Sequence, residues 1–512
     1  MATDTCPRRL RENRHPFVYE INTRVLLNEL GRAQGAPVAL GTIPDSVIDR
    51  WAESGFDAVW LMGVWSTGDI GRRLALQEAD LQAGYGEALP GFTSADVAGS
   101  PYAVAAYEVS PGLGGPEQLA RLRQRLSERG LGLILDFVAN DTACDHAWVR
   151  QHPDYYVQGT PELLQTDQGS WFRAETSKGE MILAHGRDPM FPAWTDTAQL
   201  NHLHAGARQA MIETLLSVAS QCDGVRADMA MLVLHDVFQH QWGERALPAE
   251  KDRATGEFWK EAIATVRSRH PDFLFIAEAY WDLEWPLQEI GFDYTYDKRL
   301  YDRMRSEGAG GVKDHLRAEM AYQLRSLRFI ENHDEPRAAA VFSSEPWHYA
   351  SAVIMATVPG MVLIHDGEIE GRTRRLPVQL CRRADEPASE QTRKFYTSLI
   401  NCVQKADFKN GQWNMLEIRP AWHDNPTWEN YLSFAWRRGE NLHIVVVNYA
   451  PLNGQCYVEV PLDRPQALEF RDLMSGAVYV RDRQGLSTKG LYIDLPGYGF
   501  HIFSVGPPRH TA

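Results

Sequence analysis

The sequence holds no CxxC pair: its six cysteines, Cys6, Cys144, Cys222, Cys381, Cys402 and Cys456, are scattered along 512 residues. That spacing offers neither a metal knuckle nor a disulfide framework. It fits a reducing compartment, so a cytoplasmic location is expected. Long apolar runs are also missing, and the first ten residues, MATDTCPRRL, lack an apolar signal core. A membrane span and a cleaved secretion signal are therefore disfavoured. The formal net charge is −15, with no basic cluster large enough to hold a phosphate backbone, which argues against a nucleic-acid partner. Internal repeats and low-complexity tracts are absent. No glycine-rich phosphate loop follows the first predicted strand, so an open doubly wound nucleotide-binding sheet is a poor fit.

What is present is ordinary in bulk, with 44% hydrophobic and 23% charged residues, and too long for one core, so two or three domains are expected. Fifteen Trp and nineteen Tyr serve mostly as core, although flat aromatic faces also suit sugar sites. Residues 1–15 read as a loose, polar and basic arm. Eight short apolar runs then recur, at 17–21, 56–65, 131–138, 222–228, 273–278, 292–296, 327–334 and 361–364, separated by helical stretches such as 115–129, 205–220 and 258–269. Near-continuous apolar runs are the mark of parallel strands covered on both faces. Eight of them alternating with helices predict an α/β fold, a (β/α)8 TIM barrel. Residues 66–99 read as a long polar loop. From Asn140 to Asn201 the alternation lapses, which marks an insertion. After about residue 410, short alternating runs at 431–436, 442–449, 455–460, 490–494 and 500–505 predict an antiparallel β-sandwich. The expected domains are a barrel over 1–139 and 202–410, an inserted domain B over 140–201, and a C-terminal sandwich over 411–512.

The fourth run, Cys222-Asp223-Gly224-Val225-Arg226-Ala227-Asp228, organises the chemistry. Side chains alternate along a strand, so Arg226 and Asp228 point to one side. A guanidinium beside a partly buried carboxylate keeps it ionised, as a carboxylate nucleophile requires. Alone, the pair reads better as a structural ion pair, since ion pairs outnumber nucleophiles. Acidic residues also close other strands, however: Asp136 the third, Glu278 the fifth and Asp334 the seventh. In barrels of this kind the working residues lie at the C-terminal strand ends. Converging carboxylates repel, so such a cluster implies a metal or shared acid–base work. Retaining cleavage of a glycosidic bond needs two of them, a nucleophile and an acid that later acts as base.

The segments taken in order resemble the α-amylase superfamily, glycoside hydrolase family 13. Ser100-Pro101-Tyr102-Ala103 is similar to its segment with a sugar-stacking tyrosine, and Asp136-Phe137-Val138-Ala139-Asn140 to its first signature. Gln199-Leu200-Asn201 resembles a short motif of its domain B. Gly224–Asp228 resembles its nucleophile region, Ile276-Ala277-Glu278 its acid/base region and Glu331-Asn332-His333-Asp334 the region of its transition-state-stabilising aspartate. The resemblance implies that Asp228 is the nucleophile, Glu278 the acid/base, and Asp334 the group binding the 2- and 3-hydroxyls. It implies that Arg226 orients Asp228, His333 hydrogen-bonds the same sugar and Tyr102 stacks beneath it. Asp136 reads equally as an ion-pair partner of Arg226.

Three departures stand out. Asp141 replaces the usual sugar-binding histidine, adding a negative charge to an acidic mouth. Met231-Leu232 replaces the usual Lys-His, leaving Asn140 as a calcium ligand without its partners, so no metal and no cofactor are expected. Ala103 and Ala106 replace acidic residues. The expected function is a retaining glycosidase acting on α-glucosidic bonds of malto-oligosaccharides or α-glucans through a covalent β-glycosyl-enzyme intermediate, with an oligosaccharide or disaccharide as its substrate. The alternatives are a glucosyl or maltosyl transferase or disaccharide isomerase using the same acids, and a catalytically silent binding scaffold. The oligomeric state is not indicated.

Overall fold

The computed structural model describes residues 15–405, 408–461 and 467–508. The N-terminal arm, with Cys6, lies outside these residues except for His15. Eight parallel strands close into a barrel: Phe17–Asn22, Ala58–Met62, Gly132–Val138, Gly224–Asp228, Leu274–Ala277, Tyr294–Tyr296, Ser326–Arg328 and Met361–His365. Each strand neighbours the next in sequence, and the eighth closes on the first. Successive crossover helices wound in one hand produce this order. Every residue of the second and third strands is buried, as expected for strands packed on both faces. The crossover helix Gly115–Ser127 turns Leu119, Leu122 and Leu126 inward, a three- and four-residue spacing that makes one apolar stripe.

Three local expectations are corrected. The run 56–65 breaks at Gly63, whose φ of +81° favours glycine, so the second strand stops at Met62. Trp65–Thr67 then pairs antiparallel with Val104–Val109. The polar stretch expected as a loop contains two helices, Asp69–Ala75 and Ala79–Ala88. They form because Ala75, Tyr85, Ala88 and Leu89 bury themselves with Val97 and Leu380 in a small core of their own. The seventh strand ends at Arg328, six positions before Asp334.

Between the third and fourth strands the chain makes the inserted segment. Asp141–Ala143 pairs with Thr197–Gln199, and Trp171–Thr176 forms a hairpin with Gly179–Ala184. After the helix Glu390–Lys405 come two antiparallel sheets. One orders Gln412–Met415, Tyr431–Arg438, Asn441–Asn448, Phe500–Gly506, Leu468–Asp472 and Val478–Arg481. The other orders Ile418–Pro420, Gly454–Val458 and Leu491–Leu495. Ile444, Val446, Phe470 and Phe503 from the first face Cys456, Val458 and Ile493 from the second in one apolar core, which makes the expected sandwich. By its internal packing the described chain divides into two compact units. Val18–Tyr296 with Arg375–Asp385 forms one, and residues 15–17, Asp297–Arg374 and the remainder form the other.

Candidate active site

The site in the first unit is built by strand register. Arg226 pairs in register with Asp136 on the third strand and with Ile276 on the fifth. Register partners on parallel strands present the same face, so Asp136 comes beside Arg226. The Arg226 guanidinium is 1% exposed and holds three carboxylates around it. Its Nη1 donates to Asp228 Oδ1 at 2.5 Å and lies 3.7 Å from Asp136 Oδ1. Nη2 approaches Glu278 Oε2 at 2.8 Å as an ion contact without hydrogen-bond alignment. Nε donates to the Tyr296 hydroxyl at 3.2 Å. The rings of Trp60, Tyr102 and Tyr296 pack against the cation at 5.3, 5.3 and 5.5 Å. Burial alone would lower the arginine's pKa. Glu278 outweighs it, with help from Tyr296, Tyr102 and Asp228, and holds the guanidinium well above its ordinary value.

Glu278 follows the fifth strand directly and is buried. Its Oε2 accepts the Met229 N–H at 2.7 Å, and its Oε1 accepts the Tyr280 hydroxyl at 2.8 Å. The Met229 N–H is aimed there by a left-handed backbone, φ 41°, one residue past the strand end. Beyond Tyr280, Trp281 and Asp282 are both left-handed, with φ of 62° and 63°. Such strain persists where the surroundings over-determine the backbone, commonly at functional sites. The Asp228 side chain keeps 14% of its surface exposed, while Glu278 and Asp136 are nearly covered.

Asp141 departs from the expectation that it adds a negative charge. Burial pushes its carboxyl well above the usual range, and the charge of Asp228 adds to that, so the neutral acid is favoured. Asn140 Nδ2 donates to Asp141 Oδ2 at 3.0 Å. Asn140 Oδ1 accepts Gln199 Nε2 at 3.0 Å, which commits its amide to the inserted segment. A Cβ on Gly186 would collide with the Asp141 carboxyl, so only glycine fits there. Met231 and Leu232 are buried in the turn Ala230–Val233, where they pack as core.

In the second unit, His333 and Asp334 lie beyond the seventh strand. His333 is buried, its Nε2 is 2.9 Å from Asp334 Oδ2, and the Asp334 side chain is 44% exposed. Asn332 Oδ1 accepts the N–H groups of Asp334 and Glu335, both at 2.9 Å, which turns the chain at this point. Glu331 is fully buried. It accepts from Arg337 Nη1 at 2.6 Å and from the Ala338 N–H at 2.7 Å, so it ties down both ends of the loop carrying His333 and Asp334.

The structure thus gathers Tyr102, Asp136, Asp228 and Glu278 around the Arg226 cation, and pairs His333 with Asp334. Tyr280, Tyr296, Trp60 and the Glu331–Arg337 pair escaped the sequence reading. No spacing rule links them to the acids, because they meet only through the barrel's closure and its loops.

The family model described as "Alpha amylase, catalytic domain" matches residues 55–409. "Alpha-amylase MalA" of Haloarcula japonica is 23% identical over 384 residues, 72% of this chain and 50% of that protein. The "Alpha-1,4-glucan:maltose-1-phosphate maltosyltransferase" of Rhodospirillum rubrum is 24% identical over 443 residues, 83% of this chain and 54% of that one. The chain thus spans about half the length of these curated relatives. Among solved structures, a maltogenic alpha-amylase AmyB from Thermotoga neapolitana aligns at a TM-score of 0.68 and 19% identity, covering 96% of this chain and 98% of that one. An alpha-amylase from Lactobacillus plantarum aligns at 0.66 and 18%, covering 96% and 99%. At such identities the structural likeness concerns the fold.

Proposed function

The chain belongs to the α-amylase family, and on that premise we propose that it is a retaining enzyme that cleaves or transfers α-glucosidic bonds of malto-oligosaccharides through a covalent glycosyl-enzyme intermediate. The observation that carries this reading is the single Arg226 guanidinium shared by Asp228 and Glu278. One cation offsets two carboxylates, which lets both sit at one strand mouth with an aromatic floor.

Asp228 is the nucleophile: its oxygen attacks the anomeric carbon as the glycosidic C–O bond breaks. Glu278 gives its proton to the departing oxygen. That proton belongs on Oε1, because the Met229 N–H and the guanidinium beside Oε2 cannot accept one, whereas the Tyr280 hydroxyl can turn its hydrogen away. Forming the ester neutralises Asp228. Arg226 is then shared by Glu278 and Asp136, and Glu278, having given up its proton, is the carboxylate that takes one from water or from an acceptor hydroxyl in the second step. Tyr102 offers a ring face to the sugar, Asp136 balances Arg226, and Asp141 in its neutral form donates a hydrogen bond where a second anion would repel Asp228. The family resemblance gives Asp334, 2.9 Å from His333 Nε2, the role of binding sugar 2- and 3-hydroxyls.

Transfer is the second reading within the family. What favours it is the relative named as a maltosyltransferase, which matches 83% of this chain against 72% for the amylase. Product analysis separates the two. The enzyme is given α-glucosyl fluoride, maltoheptaose or maltose 1-phosphate, each with and without an acceptor glucan. Glucose-type products with a retained anomeric configuration support hydrolysis, and elongated glucans support transfer. No turnover of any donor by the parent overturns the proposal.

A further inference from the structure

The second unit contains a cavity lined by none of the residues used in the proposed chemistry. Its volume is about 480 Å3, within the size of small-molecule sites. Trp347, Tyr449 and Tyr498 are the aromatic residues of its lining, which also includes Arg305, Glu307 and Asn430.

The wall is fixed before any ligand arrives. The Tyr449 hydroxyl accepts Trp347 Nε1 at 3.0 Å, lies 2.7 Å from Ser351 Oγ and donates to the Met304 carbonyl at 2.9 Å. The rings of Trp347 and Tyr498 are parallel to within 16°, their centroids 5.7 Å apart, and Tyr449 meets Tyr498 edge-on. Tyr498 sits between Gly497 and Gly499 with a φ of +58°, in the region that glycine enters freely and tyrosine does not. A strained backbone here holds a flat ring where a third glycine would relax the turn. Such an outlier points toward a function.

The polar lining selects the ligand. Arg305, which lines the cavity, lies against the Tyr301 ring, its guanidinium carbon 5.1 Å from the centroid. Glu307 folds over the first turn of the helix Gly308–Leu316, beside Gly311, so the helix start already faces an anion. Both lining acids are offset by cations outside the lining, Glu307 by Arg303 at 3.7 Å and Glu429 by Lys313, which leaves a single arginine and no cluster of cations of the kind a phosphate takes. Flat rings beside planar polar side chains match a neutral ligand with one apolar face and a fringe of hydroxyls. We propose that this cavity is a second carbohydrate site, which stacks a glucan segment on Tyr498 and Trp347 and takes its hydroxyls on Arg305, Glu307 and Asn430. That the sugar is an α-glucan rests on the function proposed above.

The test is electrophoresis of the folded protein through native gels with and without glycogen, together with turnover of α-glucosyl fluoride. The parent should be retarded by glycogen. Tyr498→Gly removes the ring and relaxes the backbone, and should lose at least tenfold in apparent affinity while turning over the fluoride at the parental rate. Arg305→Ala, an exposed change that leaves the fold alone, should lose several-fold and serves if Tyr498→Gly does not fold. A parent that turns over the fluoride but is not retarded overturns the site and leaves the function standing. A parent retarded without turnover, with retardation lost in these variants, supports the site and removes the function. Retardation unchanged in both folded variants overturns the site.

Discussion

Two buried arginines do opposite things with the carboxylates they hold. Arg226 is packed among aromatic rings and serves Asp228, Glu278 and Asp136, yet the Asp228 side chain stays 14% exposed. Arg337 serves a cluster with no opening. Its Nη1 donates to Glu331 at 2.6 Å and to the Asp366 carbonyl at 2.8 Å, and lies 2.9 Å from His365 Nδ1. A second acid, Glu368, is 1% exposed and accepts the Tyr396 hydroxyl at 2.7 Å. Burial works against the charge of Glu331, but Arg337 and then His365 overcome it and hold its carboxyl below the usual range. Burial and the charge of Glu331 push Glu368 well above it. In the closed cluster one acid meets one cation, and the spare acid is biased toward its neutral form. In the open cluster three acids crowd one cation and one faces outward, an arrangement that costs repulsion and leaves an oxygen able to react. The first is built to hold a loop, the second to do chemistry.

The hardest blow to this contrast is Asp228→Asn. Amide nitrogen cannot form the ester, so kcat on α-glucosyl fluoride should fall about 10⁴-fold or more, equivalent to about 5.5 kcal/mol, while the melting temperature moves by no more than about 2 °C. Residual activity above about a hundredth of the parent's would remove Asp228 as nucleophile.

The closed cluster should respond the other way. Glu331→Gln leaves the buried Arg337 without its counter-charge, which should cost about 3–5 kcal/mol of stability in denaturant melts. The pH signs follow from the two shifts. Stability contributed by Glu331 is present above its ordinary pKa and is lost as pH falls through its depressed folded value. That from Glu368 is present below its ordinary pKa and is lost as pH rises through its raised one. A Glu331→Gln protein as stable as the parent would mean the Arg337 cluster holds nothing together.

Acids buried with no arginine among the groups that shift them sharpen the comparison. Asp196, in the inserted segment, keeps part of its surface exposed but has its carboxyl enclosed. Burial, with the charge of Glu78, raises it to about 6. Its contribution is therefore complete below its unfolded pKa of about 4 and lost as pH climbs through about 6. Between pH 4 and 7 the parent should lose on the order of 1–2 kcal/mol that an Asp196→Asn protein keeps. Parallel stability curves for the two proteins would put the carboxyl in water.

Much of this was legible because parallel barrel strands, buried on both faces, write themselves as apolar runs. All eight expected strands are present, and the Arg226–Asp228 pairing follows from two-residue alternation on one of them. The reading of the seventh strand ran too far because Phe329-Ile330 continues its apolar run. What ends it is side-chain chemistry: Asn332 captures two N–H groups and Glu331 turns to Arg337, neither of which hydrophobicity records. The helices at 69–75 and 79–88 were missed because they are short, contain glycine and find their apolar cover partly at Leu380, nearly three hundred residues later. In the sandwich, the strands at 412–415, 418–420, 468–472 and 478–481 were passed over, although strands of five residues at 454–458 and 491–495 were read. Asp141 was read as a charge because its residue type suggests one. Its enclosure among Asn140, Gly186 and Thr197 exists only in the folded chain.

The mildest expected effect tests the finest feature of the open cluster, the Tyr280 hydroxyl on Glu278. It fixes Oε1, the oxygen from which the proposed mechanism delivers its proton, and it is the one partner of Glu278 described here that can both give and accept a hydrogen bond. Tyr280→Phe keeps the ring that follows the strand end and removes only that hydroxyl. The carboxyl then keeps its Met229 and Arg226 contacts but loses the one that sets its rotation. The fall should be in kcat, about fivefold or roughly 1 kcal/mol, with KM for maltoheptaose little changed and stability within about 0.5 kcal/mol of the parent. A rise in KM at constant kcat would place the hydroxyl on the sugar instead of on the acid. No change in either would mean that Arg226 and Met229 alone orient Glu278, making the open cluster as rigid as the closed one.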